Sequence, residues 1–156
     1  MGDNTRVDKS SPIQTVAGGT NWKLVGGGRY HVIAIKTDGT LWGWGQNHLG
    51  QLGTNTLATI VNSPVQTVAG GNNWKQVSCG QHTTSAIKTD GTLWTWGTNN
   101  NGALGGTSPT AVSGNRSSPV QVGTGYYNDA KAGLNHTVGL ADNNTLYVWG
   151  DDNFGQ

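Results

Sequence analysis

Residues 35–45 read "IKTDGTLWGWG" and residues 87–97 read "IKTDGTLWTWG", the same string 52 positions on with one residue changed. A catalytic loop needs to occur once, so a near-copy marks a building unit before it marks an active site. Asp38-Gly39 and Asp90-Gly91 lie between residues that alternate as strands do, and the Asp-Gly pair predicts a two-residue type I′ hairpin at both places. Alternation in 31–37 puts Val32, Ala34 and Lys36 on one face and His31, Ile33, Ile35 and Thr37 on the other.

The similarity extends outward from this core. Three copies begin at Ser11, Ser63 and Ser118, spaced by 52 and 55 residues. The third is the most divergent: Tyr127 stands where the others have Trp22 and Trp74, Tyr147 where they have Trp42 and Trp94, and Asn144 where they have Gly39 and Gly91. Each copy resolves into four short extended segments, which in the first are 12–16, 22–25, 31–37 and 41–45. Four strands in a unit of about 50 residues, repeated, predict an all-β fold of propeller blades, three blades of four antiparallel strands in this chain. The repeats run approximately 11–62, 63–117 and 118–156, with 1–10 continuing the last repeat across a ring closure. Glycine runs such as 26–28 suit backbones crowding towards a central channel. The Trp-Gly pairs place an indole between neighbouring sheets.

Composition narrows the function. Nine Lys and Arg against eight acidic residues, all of them Asp, leave a net charge of +1. That offers no basic stripe for nucleic acid. No run reaches the roughly 18 apolar residues of a membrane span, and the N-terminal stretch lacks the apolar segment of a signal peptide. Cys79, the single cysteine, reads as a small strand residue that packs inside.

Gly28, His31, Ala34, Asp38, Gly39, Trp44, Gly45, Asn47, Gly50, Gln51, Leu52 and Gly53 together resemble the repeat of the regulator of chromosome condensation family. Later copies keep Gly80, Asp90, Gly91, Trp94 and Trp96, then Gly133, His136 and Trp149, but place Thr83 and Asp152 where the first has His31 and Asn47. The resemblance implies a propeller, usually of seven blades, and three blades cannot close a ring. It further implies that the segment after each loop, here 11–16, is the outer strand completing the preceding blade. Joining 156 to Met1 restores the family's loop. A second copy would thus complete a six-bladed ring as a homodimer with strand exchange, against another oligomer or a piece of a longer propeller. The family's best-known member drives nucleotide exchange on a nuclear GTPase, an activity this repeat motif does not carry over.

Chemistry is sparse. His31 and His136 occupy equivalent positions and read as structural, each ring nitrogen bonded to backbone within its blade, while His48 reads as exposed loop. Asp38, Asp90 and Asp142 belong to turns, and no nucleophile or metal motif occurs. The expectation is a non-enzymatic protein-interaction scaffold without cofactor or metal. Its candidate contact loop is 105–119, including Thr107, Ser108 and Arg116. The alternative is a carbohydrate-binding propeller using Asn, Thr and Trp.

Overall fold

The computed structural model describes residues 1–106 and 114–156. Ten antiparallel strands follow in order: β1 (Trp22–Gly27), β2 (His31–Lys36), β3 (Leu41–Gln46), β4 (Ile60–Gln66), β5 (Trp74–Cys79), β6 (Thr83–Lys88), β7 (Thr92–Gly97), β8 (Arg116–Ala132), β9 (His136–Ala141) and β10 (Leu146–Gly150). The first four form one sheet in sequence order, and the other six form a second. The six-stranded sheet is two blades sharing β8: its first half pairs with β7, through Thr95↔Val120 and Gly97↔Arg116, and its second half with β9, through Ala130↔Gly139 and Lys131↔Val138. The third copy is two residues shorter between its Ser-Pro and its inner glycine, 118–133 against 63–80. The chain there passes straight from one blade to the next, whereas β4 and β5 are separated by a turn.

The first extended segment of each copy does not join the strands of its own copy, as the resemblance implied. Residues 60–66 and 116–121 are the outer strands of the first and second blades. Residues 12–16 carry no strand partner among the described residues. The reason is geometric: this segment follows a loop that has already left its blade, and the sheet edge it would complete precedes it in the ring. Consequently, among the described residues, the third blade has three strands and β10 is a sheet edge.

The hairpins also differ from expectation. Gly39 and Gly91 have positive φ (80° and 85°), but Asp38 and Asp90 do not, so these are not type I′ turns. Gly39 N–H donates to the Lys36 carbonyl and Lys36 N–H to the Thr40 carbonyl, and Gly91 repeats the first of these with Lys88. This is a three-residue loop with a left-handed last residue. Asn144 takes the same role at φ 67°.

The core lies between blades. Ile33, Ile35, Leu41 and Leu52 meet Trp74, Ala86 and Trp96 across the first joint. Ile87 and Leu93 meet Val122 and Ala130, with Tyr127 and Trp149 beside them, across the second. Gly28, Gly80 and Gly133 line the crowded inner ends: a Cβ on Gly80 would lie 2.0 Å from the Gly133 carbonyl, and one on Gly28 2.6 Å from that of Gly80. Cys79 sits in β5, partly buried, with its Sγ 3.4 Å from the Gly26 carbonyl. Burial pushes its thiol up to about 12.

Candidate interaction surfaces

The repeated residues build two kinds of device. At the hairpins, Asp38 Oδ1 accepts from both Thr40 N–H (2.9 Å) and Thr40 O–H (2.7 Å), and Thr40 Oγ1 accepts from the Trp42 indole (2.8 Å). Asp90, Thr92 and Trp94 repeat it. The Thr40 hydroxyl and backbone bonds hold the Asp38 carboxyl below its ordinary range, and the corresponding Thr92 bonds do the same for Asp90. Lys36 and Lys88 ammonium groups lie over the Trp42 and Trp94 rings at 4.2 and 4.3 Å. These groups are occupied in holding the turn.

Between blades the device is a shared carbonyl. The Gln51 carbonyl accepts from the Trp96 indole (2.9 Å) and from Thr84 O–H (2.9 Å). At the next joint the Ala103 carbonyl accepts from Trp149 (3.1 Å) and Thr137 (2.9 Å). Since Thr84 spends its one proton on Gln51, its oxygen must accept from His31 Nε2–H, 3.0 Å away. His31 therefore bonds a side chain of the next blade, not backbone of its own. Its Nδ1 is buried without a partner among the described residues. Burial, and then the neighbouring His82, lowers its pKa to about 4. His136 packs over Gly133, where a Cβ would lie 2.4 Å from the ring.

Sequence reasoning missed Thr84 and the carbonyl of Gln51. Their signal was the recurrence of Thr84 as Thr137, hidden because the first copy has Val32 there. It also missed a cluster at the rim of the first joint. His48 meets His82 edge-on at 5.6 Å, Tyr30 lies 5.9 Å from His82, and the Arg29 guanidinium sits 4.9 Å over Tyr30. His48 is exposed, as expected, but not isolated.

Of the candidate contact loop, Thr107 and Ser108 lie outside the described residues. Arg116 is not a loop residue: it opens β8, paired with Gly97. The indoles of Trp74 and Trp96 are fully buried, which removes them from any sugar-binding face.

The two ends of the three-blade arc are unlike its joints. Leu146 is 62% exposed, whereas Leu93, its counterpart inside a joint, is 0% exposed. Val25 is 70% exposed, whereas Ala130 at the same blade position is 3% exposed. Beside β10 runs an open groove of about 480 Å³ lined by Gly102, Gly105, Tyr147, Val148 and Trp149 among others. Gly50 and Gly102 occupy equivalent loop positions. A Cβ on Gly50 would lie 2.5 Å from Ser117 of the next outer strand, while one on Gly102 meets nothing within 4 Å among the described residues.

The N-terminal segment is nonetheless folded as an inter-blade loop. Val16 N–H donates to the Gly2 carbonyl (2.8 Å) as Val68 does to Gly53 (2.9 Å), and Asn4 N–H to the Asn62 carbonyl (3.0 Å) as Asn55 does to Ser117 (2.7 Å). Gly2 lies against Trp44 as Gly53 does against Trp96. Among the described residues no His, Cys and Asp cluster is placed to hold a metal, and no helix is long and apolar enough to cross a membrane.

Residues 38–87 and 90–140 match the regulator of chromosome condensation (RCC1) repeat, and a second model of the same repeat matches 22–51, 74–103 and 129–156. The chain is 30% identical over 139 residues to the ultraviolet-B receptor UVR8 of Arabidopsis thaliana, covering 88% of this chain and 31% of that one. It is 30% identical over 104 residues to an RCC2 homologue of Xenopus laevis, covering 67% and 20%. Among solved structures, yeast RCC1 (Prp20) bound to Kap60 superposes with a TM-score of 0.75 at 22% identity, over 85% of this chain and 32% of that one. Human WBSCR16 gives 0.70 at 24%, over 84% and 34%. The chain spans about a third or less of the length of these relatives.

Proposed function

The chain belongs to the regulator of chromosome condensation repeat family, and on that premise we propose that it is a non-enzymatic protein-interaction scaffold whose arc of three blades is closed by a second copy. The relatives support the scaffold: one solved neighbour is bound to Kap60, and another was described together with its binding to Gsp1p and histones. In the closure, residues 12–16 of each copy pair with β10 of the other. The contrast between Gly50 and Gly102 carries this reading, because the groove at Gly102 stands where the first joint holds an outer strand. Repeat register sets the pairing. Trp42↔Gln66 and Gly43↔Val65 in the first blade translate to Tyr147↔Gln14 and Val148↔Ile13 across copies. Both sides are exposed and apolar at Ile13 and Val148, so pairing them removes apolar surface from water while satisfying backbone groups at a sheet edge. The joint is head-to-tail, and two identical joints close a two-fold ring.

Light scattering tests the closure: a mass of twice the chain's 16.3 kDa is expected. A variant carrying Ile13→Cys and Val148→Cys is expected to form an interchain disulfide on mild oxidation. A folded monomer of unchanged mass at high concentration, with no cross-link, refutes it.

A further inference from the structure

The two internal joints share a polar device that the arc lacks at its ends. In each, the carbonyl two residues before a left-handed glycine, Gln51 before Gly53 and Ala103 before Gly105, accepts the indole N–H of the next blade. The residue between them is buried: Leu52 at 0% and Leu104 at 5% exposure. Its N–H donates to the side chain at the loop start, Leu52 to Asn47 Oδ1 and Leu104 to Asn99 Oδ1, each 3.0 Å.

At the first blade the same frame is present with pieces absent. Gly2 has positive φ and lies against Trp44, but the Trp44 indole has no acceptor among the described residues, and Met1, at the place of Leu52, is 66% exposed. At the third blade the complementary pieces stand without a receiver. Gly155 N–H donates to the Asp152 carbonyl (3.2 Å) as Gly50 does to Asn47 (3.1 Å). Phe154 N–H donates to Gln156 Oε1 (3.1 Å) as Leu49 does to Gln51 Oε1 (3.0 Å). Residues 152–156 are thus already folded as the loop that holds the acceptor carbonyl. Asp152 stands at the position of Asn47 and Asn99, an acceptor of the same reach.

Resting on the closure proposed above, we infer that the joint between copies is a polar latch. The Gln156 terminal carboxylate of one copy accepts the Trp44 indole N–H of the other, and the Asp152 carboxylate accepts from the Met1 terminal ammonium. Val32 replaces the threonine that shares the corresponding carbonyl at Thr84 and Thr137, so Trp44 is the terminal carboxylate's sole side-chain donor from the receiving blade. Met1 then enters the apolar position that Leu52 and Leu104 fill.

The test reads the Trp44 indole in the assembled wild-type chain. In a ¹⁵N–¹H spectrum, with Trp44→Phe assigning the signal, exchange of this N–H with solvent is expected to slow on going from dilute to concentrated protein. Trp44→Phe is expected to weaken association about fivefold per joint, the worth of one net hydrogen bond, and so about 25-fold for a ring with two identical joints. Asp152→Ala weakens it, and Asp152→Asn weakens it less, because the amide oxygen still accepts from the ammonium but without the charge. If the Ile13/Val148 cross-link forms between chains while the Trp44 indole stays as exchangeable as in dilute protein, the latch is overturned and the strand exchange stands. If no cross-link forms and the chain remains a monomer, both fall.

Discussion

Acidification should loosen the first joint through His31. The ring is neutral, bonded at Nε2 to Thr84, and its Nδ1 is buried with no acceptor among the described residues. Protonation would place an unsatisfied N–H and a charge there, so the folded pKa falls from the ordinary 6.5 to about 4. Between those values the unfolded chain takes up a proton that the folded chain refuses. Stability is therefore lost as pH falls from 6.5 towards 4, by about 2 kcal/mol at pH 5 and about 3 kcal/mol at pH 4. Asp3, Asp38 and Asp90 are all held below their ordinary 3.8, so their contributions are lost only below that value, outside this window. The assay is urea unfolding followed by tryptophan fluorescence at pH 7, 6 and 5. With a slope of about 2 kcal/mol per molar, the midpoint should drop by about 1 M between pH 7 and 5. His82 is also lowered, by burial and then by His48 and Arg29, and contributes with the same sign. His82→Gln serves as the background on which His31→Gln is compared. If the pH slope in that background survives His31→Gln unchanged, the account of the buried imidazole is wrong.

The inner glycines make a paired prediction. Gly80→Ala drives a Cβ to within 2.0 Å of a carbonyl and should cost about 2 kcal/mol by denaturant unfolding. Gly27→Ala, on the open face with nothing within 4 Å and no positive φ, should be neutral or stabilise by about 0.5 kcal/mol; equal losses at the two sites would refute the crowding argument. Cys79, with its thiol pushed up to about 12 by burial, should resist a thiol reagent at pH 8 until the chain is unfolded in urea. Rapid labelling of the native chain would contradict its packing.

The blade as a unit was legible because its signals are local and occur more than once. Asp38-Gly39-Thr40 and Asp90-Gly91-Thr92 announce hairpins, and alternation in 31–37 separates the two sheet faces. The exact turn was not legible, since an Asp-Gly pair fits both a two-residue loop and the last two places of a three-residue one, and only the hydrogen bond from Gly39 to Lys36 distinguishes them. Arg116 looked like loop because a strand that changes blades midway has no periodicity of its own.

By itself, then, the sequence determined the all-β repeat, its hairpins, its inner glycines and its inter-blade indoles, each of which depends on residues a few positions apart. The family resemblance already implied that each outer strand completes the preceding blade, as 60–66 and 116–121 do; tertiary structure alone decided that His31 answers to Thr84 53 residues away and that a shared carbonyl ties each joint. Those contacts are made between units, where spacing along the chain says nothing about distance. Three repeats already implied an open arc, but that β10 is unpaired and Trp44 lacks its acceptor among the described residues became visible only once the blades stood side by side.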